Sequence, residues 1–328
     1  MRILFVSSGN NKFGISPIVY NQGESLRKHG IEIDYYAIKG KGFFGYLKNI
    51  PKIRKSIKNG NYDLIHAHYG ITGIVALFVR TSQKIIVSFM GDDLIGSVGK
   101  SGKYTTISKL SSYLNKFFSK YCYDYIIVKS QTLYNKLGIN EKTIVIPNGV
   151  NIEEFYPIAK DIAKEKINLN KNLRYIIFIS NPNRPEKNYK LAVQAYNNLR
   201  LFDVKLLTVY DVSHSLLNYY YNAAECLLLT SYHEGSPNVI KEAMACNCPV
   251  VSTDVGDVRW LFGNEPGHFI TTFDPQDVAE KIKDALDFSK KYGRSSGRKR
   301  IIELGLDVDT VAKKVINVYQ FVLTNQKR

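Results

Sequence analysis

Cysteine is scarce, with four in 328 residues, and tryptophan occurs once. Cys122, Cys226, Cys246 and Cys248 are too unevenly spaced for a disulfide framework, and Cys246-Asn247-Cys248 has no second pair to complete a zinc site. They read as reduced, mostly buried thiols. Long apolar runs are missing as well. The longest, near Gly70 to Val79, is interrupted by Gly and Thr and falls short of the ~18 residues a membrane helix needs. Ile3 to Val6 runs directly into Ser7-Ser8-Gly9, too short for the core of a signal peptide, so the expected location is the cytosol. No period in glycine or proline marks a fibre, and the glycines that follow the first strand, Gly9 and Gly14, do not match the G-x-G-x-x-G of a dinucleotide-dependent dehydrogenase.

Acidic residues are also in short supply, 29 against 45 Lys and Arg, for a net charge of +16. The deficit is local. Residues 1–150 hold 21 basic and 8 acidic side chains, whereas the remaining 178 hold 24 and 21. A first half this basic points to a polyanionic partner, an acidic membrane surface or nucleic acid. No nucleic-acid module is recognisable, which argues against the second. The densest stretch, residues 39–58, sets Lys39, Lys41, Lys48, Lys52, Arg54, Lys55 and Lys58 among apolar residues. At 100° per residue Phe43, Tyr46, Leu47, Ile50, Ile53 and Ile57 share one side, as in an interfacial helix, with Pro51 expected to split the segment in two. The alternative is a solvated basic helix that docks its apolar side on a sheet.

Apolar residues make up 45% and charged residues 23%, an ordinary globular composition whose length fits two domains. In the first half, β-rich runs (2–7, 31–36, 63–67, 84–88, 125–128, 143–146) alternate with amphipathic stretches such as Ile15 to His29 and Thr105 to Tyr121. The second half repeats the alternation with strands over 175–179, 205–209, 226–229 and 249–252. Such alternation predicts parallel sheets wrapped by helices, hence two doubly wound α/β domains. Pro147-Asn148-Gly149-Val150-Asn151 and Phe155-Tyr156-Pro157 mark the linker. Ligands of open parallel sheets sit at the carboxyl ends of the strands, so a cleft between the domains is the default site.

The strongest chemical signal follows the strand 226–229, in Thr230-Ser231-Tyr232-His233-Glu234-Gly235-Ser236-Pro237-Asn238-Val239-Ile240-Lys241-Glu242-Ala243. Gly235 allows close backbone approach, while Ser236, Pro237 and Asn238 offer a cap and a preset first turn, so that helix N–H groups and the positive end of the helix face the site. A site so built holds a phosphate. Glu242 is placed to accept from a ribose diol, and Glu234 to meet sugar hydroxyls or a developing positive charge. The competing assignment makes Glu234 a cap of its own helix and Glu242 a solvated face residue.

This Glu-x7-Glu segment and its continuation to Gly256 resemble the hallmark of the retaining family-4 glycosyltransferases of group 1, which have the GT-B fold. Ile146-Pro147-Asn148-Gly149-Val150-Asn151 is similar to that family's interdomain hinge. Residues 63–70 and 88–94 are similar to its N-domain loops. The resemblance implies two Rossmann-like domains with parallel sheets facing across a cleft: an N-terminal acceptor-side domain over 1–147 joined by the C-terminal helix 306–328, a hinge over 148–157, and a nucleotide-sugar domain over 158–305. It implies transfer of a sugar from a nucleoside diphosphate sugar to a glycan or lipid-linked glycan acceptor, with retained configuration and neither metal nor other cofactor. Within it, Lys187 corresponds to the diphosphate-binding lysine. Arg184 stands in for an arginine that the family places where this chain has Pro182. Glu234 and His68 meet the donor sugar, Gly235, Ser236, Pro237, Asn238 and Val239 hold the diphosphate, and Glu242 holds the ribose. The loop from Gly9, with Asn11 and Gly14, approaches diphosphate and acceptor. Breaking a glycosyl diphosphate bond requires this kind of cationic and N–H stabilisation of the leaving phosphate. The basic stretch 39–58 adds an expected peripheral location on the inner membrane face.

His66 and His68 lie on one side of an extended strand without an acidic third ligand nearby, so a metal site is not expected, and His66 reads as a satisfied core histidine. Asp307-Val308-Asp309 reads as a helix start rather than a metal-binding pair. Two alternative functions remain, a nucleotide-sugar epimerase of the same fold and a non-catalytic anion-binding accessory protein.

Overall fold

The computed structural model describes residues 1–10, 14–96, 105–139 and 141–325. Two compact units partition it: Met1–Ser97, Tyr104–Gly149 and Val308–Arg328 form the first, and Val150–Asp307 the main part of the second.

In the first unit, six strands run parallel: β1 (Arg2–Ser8), β2 (Glu32–Ile38), β3 (Leu64–His68), β4 (Lys84–Phe89), β5 (Tyr125–Val128) and β6 (Thr143–Val145), in the order β2-β1-β3-β4-β5-β6. Order reverses beside β1, the switch point at which strands leave the sheet in opposite directions. The central strands are buried on both faces, so they read as continuous aliphatic runs rather than as alternation. One face packs under the helices Ile50–Gly60 and Gly70–Val79. The other is closed by the last helix, Val308–Thr324, whose Val311, Ala312, Val315, Val318, Tyr319 and Val322 pack with Ile3, Phe5, Ile33 and Ile86.

The second unit has five parallel strands, β7 (Arg174–Ile179), β8 (Val204–Val209), β9 (Cys226–Leu229), β10 (Val250–Thr253) and β11 (His268–Thr271), ordered β11-β10-β9-β7-β8. Helices Tyr189–Leu199 and Pro275–Tyr292 cover one face, and Asn238–Ala245 the other. The expected α/β class with two parallel, doubly wound sheets is thus what the chain forms. Cys226, Cys246 and Cys248 are buried free thiols, and Cys122 is half-buried.

The segment 39–58 departs from the interfacial expectation. It forms two helices, Gly42–Leu47 and Ile50–Gly60, with Pro51 in the first turn of the second. Its apolar side is already occupied: Tyr46, Ile53 and Ile57 are buried in the first unit's core, and Leu47 and Ile50 pack against them. Lys52, Arg54, Lys55 and Lys58 line the outer side, so the described residues of the expected face are committed to the core rather than free for lipid; Phe44 is exposed, and the side chain of Phe43 lies outside what the structure describes. Among the described residues no helix is long and apolar enough to cross a membrane.

Candidate active site

The sequence-predicted residues of the second unit gather where β7 and β9 end. After β7 the chain makes a short 3-10 turn, Pro185–Lys187, and Asn188 takes a left-handed conformation (φ 51°) to enter the helix Tyr189–Leu199. Two ties hold this turn against the end of β9. The Thr230 hydroxyl donates to the carbonyls of Lys187 and Asn188, each at 3.0 Å, and the Tyr232 N–H donates to the Glu186 carbonyl at 2.9 Å. Lys187 is thereby brought onto Glu234, 47 positions away, and its ammonium donates to Oε1 at 2.5 Å. The Ser231 hydroxyl donates to the same oxygen at 2.7 Å. Both charged side chains are mostly enclosed, 16% and 15% exposed. Glu234 therefore pairs with Lys187 and does not cap its own helix.

The helix Asn238–Ala245 begins with Pro237 at its N-cap position, and no side chain caps it. The expected serine cap does not form, because Ser236 Oγ accepts from Lys241 Nζ at 3.1 Å instead. Burial lowers the pKa of Lys241 to about 8 and raises that of nearby Asp257 to about 6. The loop after β10 closes on the same spot: Thr253 Oγ1 donates to the Ser231 carbonyl at 2.8 Å, and a Cβ at Gly256 (φ 61°) would lie 2.5 Å from the Gly235 carbonyl oxygen. Gly235, Ser236 and Pro237 are buried by this contact, with Asn238 and Val239 half-buried.

Glu242 is 8% exposed, which excludes the solvated-face assignment. Tyr221 donates its hydroxyl to Oε2 at 2.7 Å, and His214 Nε2 lies 3.4 Å from Oε1. The other imidazole nitrogen of His214 meets Glu154 at 3.1 Å. Burial works against charging this imidazole, but its hydrogen bonds to Glu154 and Glu242 and their charges outweigh it, and the pKa rises to about 10. His214, Tyr221 and Glu154 carry no motif; only folding reveals them. Arg184 stays outside this group. Its guanidinium, 53% exposed, pairs with Glu186 on the same loop at 2.5 Å.

In the first unit, His68 ends β3 at 2% exposure, its ring stacked on His66 at 4.2 Å and tilted against Phe5 at 4.5 Å. Among the described residues neither of its ring nitrogens has a hydrogen-bond partner, and burial holds its pKa well below the usual histidine value. His66 is satisfied on both sides, by Tyr319 at 2.6 Å and Ser88 at 2.8 Å. Asp93, which sequence reasoning passed over, accepts from the N–H groups of Gly70, Met90 and Gly91 at 3.1, 3.1 and 2.9 Å and so pins the loops after β3 and β4. The signal was a Gly-Asp-Asp run after a buried strand. Asn10 ties the loop after β1 to Gly40 in both directions, and Gly14 has φ 78°, with none of the described residues within 4 Å of a Cβ built there. Asn11 lies outside the described residues.

The chain matches two family models, one described as Glycosyltransferase Family 4 over residues 19–154 and one as Glycosyl transferases group 1 over residues 208–287. A probable sucrose-phosphate synthase of Thermosipho melanesiensis is 27% identical over 286 residues, covering 73% of this chain and 66% of that protein. The N,N'-diacetylbacillosaminyl-diphospho-undecaprenol alpha-1,3-N-acetylgalactosaminyltransferase of Campylobacter jejuni is 22% identical over 92% of this chain and 89% of its own. The crystal structure of Anabaena Alr3699/HepE in complex with UDP and glucose has the same fold, with a TM-score of 0.76 at 19% identity over 97% of this chain and 99% of the other.

Proposed function

The chain belongs to the family-4 glycosyltransferases, and from that premise we propose that it moves a sugar from a nucleoside diphosphate sugar to a glycan or lipid-linked glycan acceptor with retained anomeric configuration. The observation that carries the reading is the enclosed Lys187–Glu234 pair at the ends of β7 and β9. An ammonium placed there offsets the charge that grows on a departing diphosphate, aided by the uncapped start of the helix Asn238–Ala245. When phosphate oxygens take over Lys187, the Glu234 carboxylate is released towards the sugar, where it stabilises positive charge at the anomeric carbon. Glu242, oriented by Tyr221 and His214, accepts from the ribose diol. Arg184 joins the diphosphate only if it leaves Glu186.

Support for the donor comes from the UDP and glucose bound in the Anabaena protein. Support for a lipid-linked acceptor, and with it a peripheral location on the cytosolic membrane face, comes from the undecaprenol-linked acceptor named for the Campylobacter protein. The reading needs neither a metal nor another cofactor. A thermal-shift screen of nucleotide-sugars tests the donor, because a ligand at 100 times its Kd adds about 2.7 kcal/mol to stability. Product analysis with and without acceptor then separates transfer from epimerisation, which consumes donor alone. No shift with any nucleotide-sugar contradicts the reading.

A further inference from the structure

The helix Thr106–Tyr121 is amphipathic in the wrong sense for a helix docked on a core. Its fully buried residues are polar, Asn115 and Ser119 at 1% and 0% exposed, with Asn115 donating to the Asp93 carbonyl at 2.8 Å, and among its described residues only Phe118 beside them packs on the core. Its outward residues are apolar. Leu110, Tyr113, Phe117 and Tyr121 are 61%, 69%, 49% and 63% exposed, and Leu114 is 39% exposed. At 100° per residue these five fall within an arc of about 100°, opposite the inward pair. Lys109, Lys116 and Lys120 all lie along one flank of that arc, within roughly 40° of one another. The helix contains no acidic residue. Beside it, an open groove of about 850 Å³ extends from Tyr113 and Phe117 to Leu137 and Ile139, with Glu141 and Lys142 also in its lining.

We propose that the outward face of this helix docks the protein on an anionic lipid bilayer. Charge selects this occupant: three lysines that form no ion pair among the described residues, in a half of the chain with 21 basic and 8 acidic residues, complement a negatively charged leaflet. The apolar arc supplies what electrostatics alone does not. Leucine and phenylalanine enter the acyl boundary while tyrosine hydroxyls and lysine ammonium groups stay at the headgroups. Unlike the apolar residues Tyr46, Ile53 and Ile57 of the stretch 39–58, these outward residues are not packed in the core. A lipid-linked acceptor gives such docking a purpose, and to that extent the inference rests on the proposed function, but docking itself requires neither donor nor acceptor.

The test is co-sedimentation of the whole chain with vesicles of phosphatidylcholine containing 30% phosphatidylglycerol, against vesicles of phosphatidylcholine alone. Parent protein is expected on the first and absent from the second. Combined Leu110→Ser, Tyr113→Ser and Phe117→Ser should cut partition on the order of tenfold or more, as should Lys109→Gln with Lys116→Gln and Lys120→Gln. These residues face outward, so both variants should keep the parent's circular dichroism and its nucleotide-sugar thermal shift, and any variant that does not is replaced by Phe117→Ser alone. Undiminished sedimentation of a folded variant overturns the proposal. So does a parent that ignores anionic vesicles, or one that is a dimer by light scattering and becomes a monomer on substitution, which assigns the face to a second copy. Loss of vesicle binding with unchanged transfer to a soluble acceptor supports docking, whereas vesicle binding without any transfer refutes the proposed activity and leaves docking standing.

Discussion

Two carboxylates converge on His214, and His214→Gln should erase a specific dependence of stability on pH. The folded-state pKa of about 10 lies above the ordinary 6.5. A group raised in this way contributes its full stabilisation below the unfolded value and loses it as pH climbs through the folded one. Taken at face value, the shift is worth roughly 5 kcal/mol at about 1.36 kcal/mol per pH unit. The imidazole is 27% exposed, and solvent screening brings the figure down to about 2 kcal/mol. For a unit of this size, that is about 4–8 °C in Tm. Glutamine keeps one donor but no charge. Parent and variant are melted in parallel between pH 6 and pH 10.5, and the advantage of the parent should shrink by about 2 kcal/mol across that range. An advantage that stays constant with pH refutes the argument that Glu154 and Glu242 hold a charged imidazole.

Lys187→Ala removes a charge-assisted contact of about 1.5–3 kcal/mol, so UDP or GDP should bind roughly ten to a hundred times more weakly by calorimetry; equal affinity in the two proteins contradicts the diphosphate assignment. Glu234→Gln should lower turnover about 10²- to 10³-fold with little change in nucleotide affinity, as for a group that acts on developing charge; unaltered kcat removes Glu234 from the chemistry. At Gly256, alanine brings a Cβ to 2.5 Å from the Gly235 carbonyl oxygen, and nucleotide binding should weaken as that loop is displaced. Asp93→Ala orphans the N–H groups of Gly70, Met90 and Gly91, which should cost about 2–4 kcal/mol of stability by denaturant titration.

The sheets were the most legible part of the sequence, because a parallel strand buried on both faces is a short unbroken aliphatic run. The bounds of β5 and β9 emerge as read. β11 was missed: His268-Phe269-Ile270-Thr271 sits at a sheet edge, only partly buried, and carries a weaker apolar signal. Residue types at the site were readable, proximity was not. Nothing in the spacing of Lys187 and Glu234 shows that Thr230 and Tyr232 tie their loops together. Periodicity has a related blind spot. It tells which residues share a helix face but not which face looks inward, so the segment 39–58 and the helix Thr106–Tyr121 give similar patterns and opposite orientations.

Diffraction from a crystal soaked with a bound nucleotide-sugar bears most directly on the assignment of this chemistry. Phosphate oxygens should lie within hydrogen-bonding distance of Lys187 Nζ and of the N–H groups that follow Glu234, with the ribose hydroxyls on Glu242. Density for the diphosphate at any other place in the second unit, with the Lys187–Glu234 pair undisturbed, contradicts it.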